Sequence, residues 1–269
     1  RTALVNVGAM KNRGIELTLN SVNIDTKDFT WQTSLNYSFN KNEIDKLYND
    51  LERVGNYFVG QSINVIYTKR FGGIWQSDEA EIAKIYNAEP GDYKIIDRNR
   101  NNIIDDDDRD FVGQTTPQFF GSFSNTFKSH GFDLTIFLTY AGGHKIYNPF
   151  AYLDSYSPSA NMSPDYYHNY WTPERPSNKY PRLGSTNSQL YETDGMYQKG
   201  DYIRLKNLEL GYTLPRNIAN KVYASNIRVY ASVQNLVTFT KYTGFDVETS
   251  NANPYPACRV FMGGLTVNF

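Results

Sequence analysis

The feature that most constrains the fold of this chain is a long alternation of apolar and polar residues. Residues 29–40 read Phe-Thr-Trp-Gln-Thr-Ser-Leu-Asn-Tyr-Ser-Phe-Asn, with large apolar side chains confined to the odd positions. Successive side chains of a β-strand point to opposite faces, so this period of two predicts a strand with one apolar face. Soluble strands usually have about 5 to 6 residues, and this run is roughly twice as long.

Six further segments show the same alternation. They are residues 15–19, 119–127, 132–140, 203–214, 227–239 and 261–269. In the fourth of these the parity changes, because Ile203 and Leu205 share one face whereas Leu208 and Leu210 require the other. A β-bulge near Lys206 and Asn207 would reconcile the two halves.

The connections between these strands alternate between short and long. The short connections are residues 22–28, 129–131 and 215–225, and the long ones are residues 41–117, 141–199 and 241–257. Outer-membrane barrels have short periplasmic turns, long extracellular loops and tilted strands of about 9 to 11 residues. The sequence therefore predicts an all-β fold, a transmembrane antiparallel β-barrel with about seven spanning strands in this chain.

The composition excludes several other classes of protein. No segment approaches the roughly 18 uninterrupted apolar residues of a transmembrane helix. A net charge of -1 without a basic block argues against electrostatic binding of DNA or RNA, and we expect no nucleic-acid partner. The single cysteine, Cys258, excludes an internal disulfide framework and a multi-cysteine zinc site.

The alternative architecture is a soluble or surface-exposed β-sandwich that binds carbohydrate as a lectin does. Aromatic side chains near the strand ends favour the membrane interpretation, because outer-membrane barrels carry aromatic girdles at both interfaces. These residues are Trp31, Tyr37, Phe39, Tyr140, Tyr212 and Phe239. The sequence also ends on an aromatic residue, Phe269, within an alternating strand. This ending resembles the terminal signal that the insertion machinery of outer-membrane barrels reads.

Five ordered motifs are similar to those of one family. The segment Asn-Val-Gly-Ala-Met-Lys-Asn-Arg-Gly-Ile-Glu-Leu at residues 6–17 resembles the N-V-G-x-x-x-N-x-G-x-E-L stretch of SusC/RagA-type TonB-dependent transporters. The other four are Phe-Gly-Gly-Ile-Trp-Gln at 71–76, the acidic run at 97–108 followed by Val-Gly, the segment from Tyr170 to Leu183, and the segment from Tyr202 to Pro215. Residues 230–239 look like the Gln-Asn-Leu strand of the same family. The resemblance covers nearly the whole chain.

The resemblance implies a particular architecture and set of partners. Family members look like 22-stranded barrels with an N-terminal plug, and seven strands cannot close such a barrel. Residues 1–269 would therefore be the C-terminal portion of a receptor barrel, without the plug domain, and either a fragment or one piece of a split barrel. The implied partners are the rest of the barrel and its plug, TonB acting through that plug, a SusD-like surface lipoprotein and the lipid bilayer. The implied location is the outer membrane of a Gram-negative bacterium.

The acidic run has the spacing of a calcium-binding loop. Side-chain oxygens of Asp97, Asn99, Asn101 and Asp108, with the carbonyl of Ile103, occupy positions one, three, five, twelve and seven of an EF-hand-like loop. The template departs at three positions: Asn101 replaces an acid, Asn102 replaces the turn glycine and Asp108 replaces the bidentate glutamate. Asn102 can still supply a left-handed backbone conformation. The sequence leaves two interpretations open, a Ca²⁺ site and an acidic solvated turn without metal, and no cofactor is required.

The sequence contains no convincing catalytic constellation. The three histidines, His130, His144 and His168, fall in a short turn and at the two ends of one long connection. No serine elbow, P-loop or dinucleotide fingerprint is present. We therefore expect a protein that is not an enzyme.

The long connection 141–199 is the best candidate for recognition of a substrate or partner. Its tyrosine and tryptophan side chains have apolar rings with polar tips, which suit stacking on sugars or contact with another protein. The candidate binding residues are Tyr152, Tyr156, Tyr166, Tyr167, Tyr170 and Trp171. The alternative is that these rings pack among themselves in a cap. The expected function is import of glycans, or of oligopeptides, with the SusD-like lipoprotein; the sequence does not identify the substrate.

Overall fold

The main element of the fold is a seven-stranded antiparallel sheet. The computed structural model describes residues 8–148, 162, 164–185, 192–249 and 255–269. The strands of the sheet are β1 (Gly8–Asp25), β2 (Phe29–Leu47), β9 (Phe119–Ser129), β10 (Phe132–Gly142), β13 (Tyr202–Thr213), β14 (Asn226–Thr240) and β15 (Val260–Asn268). They pair in this order across the sheet, so each strand lies beside its predecessor in the list. All seven strands predicted from the alternation are confirmed.

The predicted bulge is also confirmed. Leu205 pairs with Leu138 of β10 and Val237 of β14, whereas Asn207 pairs with Phe137 and Gln234. Lys206, between them, has no partner in either ladder. The extra residue shifts the parity of β13, so that apolar side chains before and after it reach the same face.

The register separates an apolar face of the sheet from a polar one. On the apolar face, leucine and isoleucine side chains of β10 lie opposite leucines of β13, as in the pairs Leu134–Leu210 and Ile136–Leu208. On the polar face, Thr135 lies opposite Glu209. Because cross-strand neighbours share a face, each face is continuous from strand to strand.

The β1–β2 hairpin extends further than the sequence predicted. The long connection was expected to begin at residue 41, but β2 continues to Leu47. Polar cross-strand contacts account for the extension: Lys11 forms an ion pair with Asp45, and the Asn42 amide donates to Asn12 Oδ1 at 2.9 Å. Charged and amide pairs stabilise strands beyond the apolar stripe, where hydrophobicity gives no signal.

One polar cluster lies on the apolar face. Asn125 of β9 is opposite Thr33 and Ile136, between the positions of Phe123 and Phe127. Its Oδ1 accepts hydrogen bonds from Trp31 Nε1 and from Thr33 Oγ1, each at 2.8 Å. The Trp31 ring stacks on Phe127 with the centroids 5.8 Å apart. Asn125 is therefore buried and its oxygen is hydrogen-bonded, although it stands among side chains that are otherwise apolar.

Short elements occupy the connections. They are β3 (Arg53–Val54), β4 (Tyr57–Phe58), β5 (Val65–Lys69), β6 (Phe71–Ile74), α1 (Ala80–Ile85), β7 (Tyr93–Ile95), β8 (Arg109–Gln114), β11 (Lys145–Tyr147), α2 (Pro164–Asn169), β12 (Tyr197–Lys199) and α3 (Arg216–Ala219). The short strands form the two-stranded pairs β3–β4, β5–β8, β6–β7 and β11–β12. Within the described ranges, no helix is long and apolar enough to cross a membrane. These ranges form one large sheet rather than two facing sheets, so the sandwich alternative is wrong.

The alternation of short and long connections is confirmed. The residues between consecutive strands of the large sheet are 26–28, 130–131 and 214–225 on one side, and 48–118, 143–201 and 241–259 on the other. Antiparallel pairing places all the long connections at the same end of the sheet. We refer to connections 48–118 and 143–201 together as the cap.

Candidate functional site

The cap has a small hydrophobic core built from both of its connections. Ile74 and Tyr93, from the first connection, pack with Trp171 and Met196, from the second, and all four are buried. Phe71, Tyr147 and Tyr197 pack around this group. Two segments separated by about a hundred residues are thus joined by apolar burial, at roughly 25 cal/mol per Å² of apolar area removed from water.

Hydrogen bonds fix the register between the two connections. The Trp171 indole donates from Nε1 to Gln76 Oε1 at 3.0 Å, and the Gln76 amide nitrogen donates to the Ser177 carbonyl at 3.1 Å. The Ile74 backbone N–H donates to Asn178 Oδ1 at 3.1 Å. The second and fourth family-like motifs are therefore in direct contact, because Gln76 belongs to one and Trp171 to the other.

An arginine and a glycine complete the contact between the two connections. Arg182 Nε donates to Asp92 Oδ1 at 3.0 Å, and the Arg182 backbone N–H donates to the Gly91 carbonyl at 2.8 Å. Gly91 has φ of 90°, and a β-carbon there would lie 2.5 Å from the Trp171 ring. Only glycine combines this backbone conformation with so close an approach.

The structure separates the candidate binding residues into two groups. Tyr166 and Trp171 are buried at 0% and 6% exposure, so their rings support the cap. Tyr167 is 57% exposed, and Tyr170 is half-buried under the Arg175 guanidinium, which lies 4.6 Å from the ring centroid. Tyr152 and Tyr156 lie outside the described residues. Binding by these aromatic residues stays a prediction, and Tyr167 is the most exposed of the four candidates that the structure describes.

An ionic group next to these tyrosines holds α2 against the following segment. The Tyr180 hydroxyl donates to the Asp165 carboxylate, and Lys179 Nζ lies 3.3 Å from the same carboxylate. The hydrogen bond from Tyr180, followed by that from Lys179, holds the pKa of the Asp165 carboxyl below its ordinary value. The group therefore stays ionised at neutral pH and keeps Tyr166, on α2, packed against Tyr180 at 5.6 Å between centroids.

The acidic run folds as a compact loop closed by its own backbone. Asp97 Oδ1 accepts from the Arg100 N–H at 2.6 Å, Asp97 Oδ2 accepts from Asn102 at 2.7 Å, and Asn99 and Asn101 each accept an N–H two residues ahead. Both Asp108 oxygens accept backbone N–H groups, from Arg98 and Asp105. Asn102 has φ of 66°, which confirms the predicted left-handed turn.

The donor set of this loop allows a limited test of fit to Ca²⁺. Desolvation would raise the pKa of Asp97, but hydrogen bonds from the Asn102 N–H and the Tyr86 hydroxyl outweigh it and hold that pKa below its ordinary value. The carboxylates of Asp97 and Asp108 and the amide oxygens of Asn99 and Asn101 are hard oxygen donors of the kind Ca²⁺ takes. Among the residues that the structure describes, however, no three His, Cys, Asp or Glu side chains are grouped to hold a metal. Calcium binding here, with the Ile103 carbonyl as a fifth donor, stays a prediction.

The third long connection folds back onto the polar face of the sheet. Arg204 of β13, opposite Thr139 and Thr238, is 3% exposed. Its guanidinium contacts Asp246 at 2.7 Å and Glu248 at 2.6 Å, and Nε donates to Thr238 Oγ1 at 2.9 Å. We refer to residues 242–249 as the strap. Arg204 and Asp246 were not among the residues predicted from the sequence. The available signal was Arg204 itself, a charged residue inside the alternating strand of the fifth motif.

The three histidines are not brought together. His130 lies in the β9–β10 turn, where Nδ1 is 2.8 Å from Ser129 Oγ, and His168 lies in α2. His144 follows β10 and is buried, and burial lowers the pKa of its imidazole. The relatives reported below are named receptors or transporters, which agrees with the expectation that the chain is not an enzyme.

Comparisons with known proteins identify the family. No protein-family model matches the chain. TonB-dependent receptor P3 of Formosa agariphila is 32% identical over 98% of this chain and 29% of its own length. TonB-dependent receptor SusC of Bacteroides thetaiotaomicron is 29% identical over 98% of this chain and 27% of its own length.

A solved structure shows the same fold. The RagAB peptide transporter structure superposes with a TM-score of 0.81 and 26% identity, covering 98% of this chain and 30% of the matched chain. The match to a transporter of this kind confirms the predicted fold class, part of a transmembrane antiparallel barrel. The chain spans about three tenths of the length of these relatives. By sequence and by fold, it belongs to the SusC/RagA-type TonB-dependent receptors.

Proposed function

We propose that the chain is the C-terminal portion of an outer-membrane TonB-dependent transporter in a Gram-negative bacterium. The observation that most supports this proposal is the seven-stranded sheet, which has one apolar and one polar face. Its strands are joined by long connections at one end only. In a transmembrane barrel the apolar face contacts lipid and the polar face lines the lumen. The sheet has these properties, and its relatives are named TonB-dependent receptors.

The proposal also assigns the two ends of the sheet to the two sides of the membrane. The end with the short connections faces the periplasm, and the cap faces the outside. Residues outside this chain would supply the plug through which TonB transmits energy from the inner membrane. The chain itself would provide part of the lumen wall and part of the outer binding surface.

The proposed substrates are glycans or, alternatively, oligopeptides, delivered with a SusD-like surface lipoprotein. The matched RagAB structure is that of a peptide transporter. The lipoprotein partner is implied by the resemblance of this chain to the SusC/RagA-type family. In this chain, exposed aromatic rings on the cap support the proposal, because stacking on flat sugar or peptide surfaces suits amphipathic side chains. Tyr167 is the ring to test first, with Tyr170 beside it.

The test uses the intact receptor, produced with its lipoprotein. We expect Tyr167→Ala and Tyr170→Ala to reduce uptake of the cognate glycan or peptide by about tenfold, the effect of losing roughly 1.4 kcal/mol of binding. Tyr223→Ala is the matched control, because Tyr223 is 91% exposed but lies in a short connection at the opposite end. Recovery of the lipoprotein by co-purification separates partner binding from substrate binding. Unchanged uptake and unchanged lipoprotein recovery in both cap variants would contradict the assignment of these rings.

A further inference from the structure

The strap is fastened to the sheet by ionic contacts centred on Arg204, and Thr243 of the strap adds hydrogen bonds to Gln198. Arg204 reaches the strap from the polar face of β13, and Glu248 also accepts from the Tyr202 hydroxyl at 3.1 Å and pairs with Lys206 at 3.2 Å. The strap also makes an apolar contact, in which Tyr242 and Val247 pack with Ile146 and Tyr202. The ionic contacts and this apolar cluster together hold the strap in place.

Asp246 links the Arg204 contact to the shape of the strap. Its Oδ1 accepts the Glu248 N–H at 2.9 Å in addition to the guanidinium, and its Oδ2 accepts the Ala257 N–H at 2.8 Å. One carboxylate thus binds both limbs of the connection and the barrel wall. Loss of the Arg204–Asp246 pair would leave a buried charge without its partner, which destabilises the attached arrangement strongly.

The strap forms one wall of a cavity at the outer end of the lumen. The cavity has a volume of about 710 Å³, and Val247, Glu248 and Thr249 line it on the strap side. His144 and Tyr147, from the second long connection, also line it. A volume in the range of about 300 to 1,000 Å³ is typical of small-molecule sites. Displacement of the strap would remove one wall of this cavity.

We propose that the strap is a movable wall of this cavity and that Arg204 is the positioning residue that holds it closed. The inference rests on the proposed transporter function, since it assumes that the polar face lines a lumen. Release of the Arg204 contacts would open the cavity toward the outside without unpairing the barrel strands. The strap would then open locally while the strands of the sheet stay folded.

Cysteine labelling in intact cells tests the inference without requiring transport. Cys258→Ser, made in a receptor whose other cysteines are also replaced by serine, removes the thiol of this chain, and Val247→Cys places a thiol at a position that is 6% exposed. A membrane-impermeant maleimide should label Val247→Cys slowly. In combination with Arg204→Gln or Asp246→Asn we expect labelling at least about tenfold faster, because either change removes the buried ion pair.

Three controls make the result specific to the strap. Phe245→Cys, which is 61% exposed in the same segment, should be labelled at one rate in all backgrounds. Arg204→Lys retains the charge and should keep labelling of Val247→Cys slow. Heat-modified migration in detergent reports the folded barrel; if Arg204→Gln fails this check, Asp246→Asn decides alone, because it leaves the strand unchanged. The proposal would be overturned if Val247→Cys were labelled equally slowly in the folded Arg204→Gln and Asp246→Asn variants. It would also be overturned if Val247→Cys were labelled fast with Arg204 and Asp246 intact. The labelling assay does not measure uptake, so it tests the strap alone. Failure of the proposed transport function would show in the uptake assay with the Tyr167→Ala and Tyr170→Ala variants.

Discussion

Replacing Val233 by arginine tests the assignment of the two faces. Val233 lies in the middle of β14, opposite Leu208 on one side and Phe261 on the other, and it is buried. An arginine there would place a charge among apolar side chains at the depth of the hydrocarbon core. On the lipid face of an outer-membrane barrel such a change costs about 2 to 4 kcal/mol at the midplane. We expect that loss in the free energy of unfolding of the intact receptor, measured by denaturant titration in lipid vesicles.

The adjacent residue provides the control. Gln234 points to the polar face, opposite Asn207, and is exposed, so Gln234→Arg should change the free energy of unfolding by no more than about 0.5 kcal/mol. The same comparison can be made on β10, where Ile136 lies on the apolar face opposite Leu208. Ile136→Arg should therefore cost about as much as Val233→Arg, and Thr135→Arg, on the polar face opposite Glu209, much less. Equal losses at Val233 and Gln234 would refute the facial assignment.

Three further predictions concern the cap, the last residue and the acidic loop. Trp171→Phe removes the hydrogen bond to Gln76 while keeping most of the packing, so the free energy of local opening of the cap should fall by about 1 to 3 kcal/mol. Proteases should then cleave the cap faster; an unchanged cleavage rate would show that the indole N–H is dispensable. Deletion of Phe269, which follows β15 and is 88% exposed, should reduce membrane insertion but not export to the periplasm; normal surface exposure of the deletion variant would dismiss the assembly signal. If the acidic loop binds Ca²⁺, calorimetry should detect binding that Asp97→Asn and Asp108→Asn abolish; no heat in the parent receptor would favour the metal-free turn.

The strands could be predicted from the sequence because lipid and lumen impose opposite demands on alternate residues. This constraint gives the strong period of two in residues 29–40, and it located the bulge at Lys206 through the change of parity. It gives no signal at the ends of β1 and β2 that lie toward the cap, because the strict alternation of apolar and polar residues stops there. There the strands continue through polar pairs such as Asn12–Asn42, which look like loop residues in the sequence.

The cap could be predicted only in outline. The motifs around Trp75 and Trp171 were recognisable, but their contact depends on specific hydrogen bonds between side chains far apart in the chain. Tyr166 and Tyr167 look alike in sequence, whereas the structure buries Tyr166 and exposes Tyr167. They differ because successive side chains of the helix α2 point about 100° apart around its axis. The strap could not be predicted, since the partners of Arg204 lie 42 and 44 residues later and follow no periodic pattern.

The buried amide of Asn125 constrains the order in which the barrel can enter the membrane. Its hydrogen-bond donors, Trp31 and Thr33, are 94 and 92 residues earlier in the sequence, across the first connection of the cap. In hydrocarbon an amide without partners costs several kcal/mol, so β9 is an unfavourable strand to insert alone. Joining β2 and β9 before or during entry removes that penalty, and residues 48–118 must then begin crossing before the pair is complete. A single asparagine thus couples export of the first cap connection to lateral insertion of the strands.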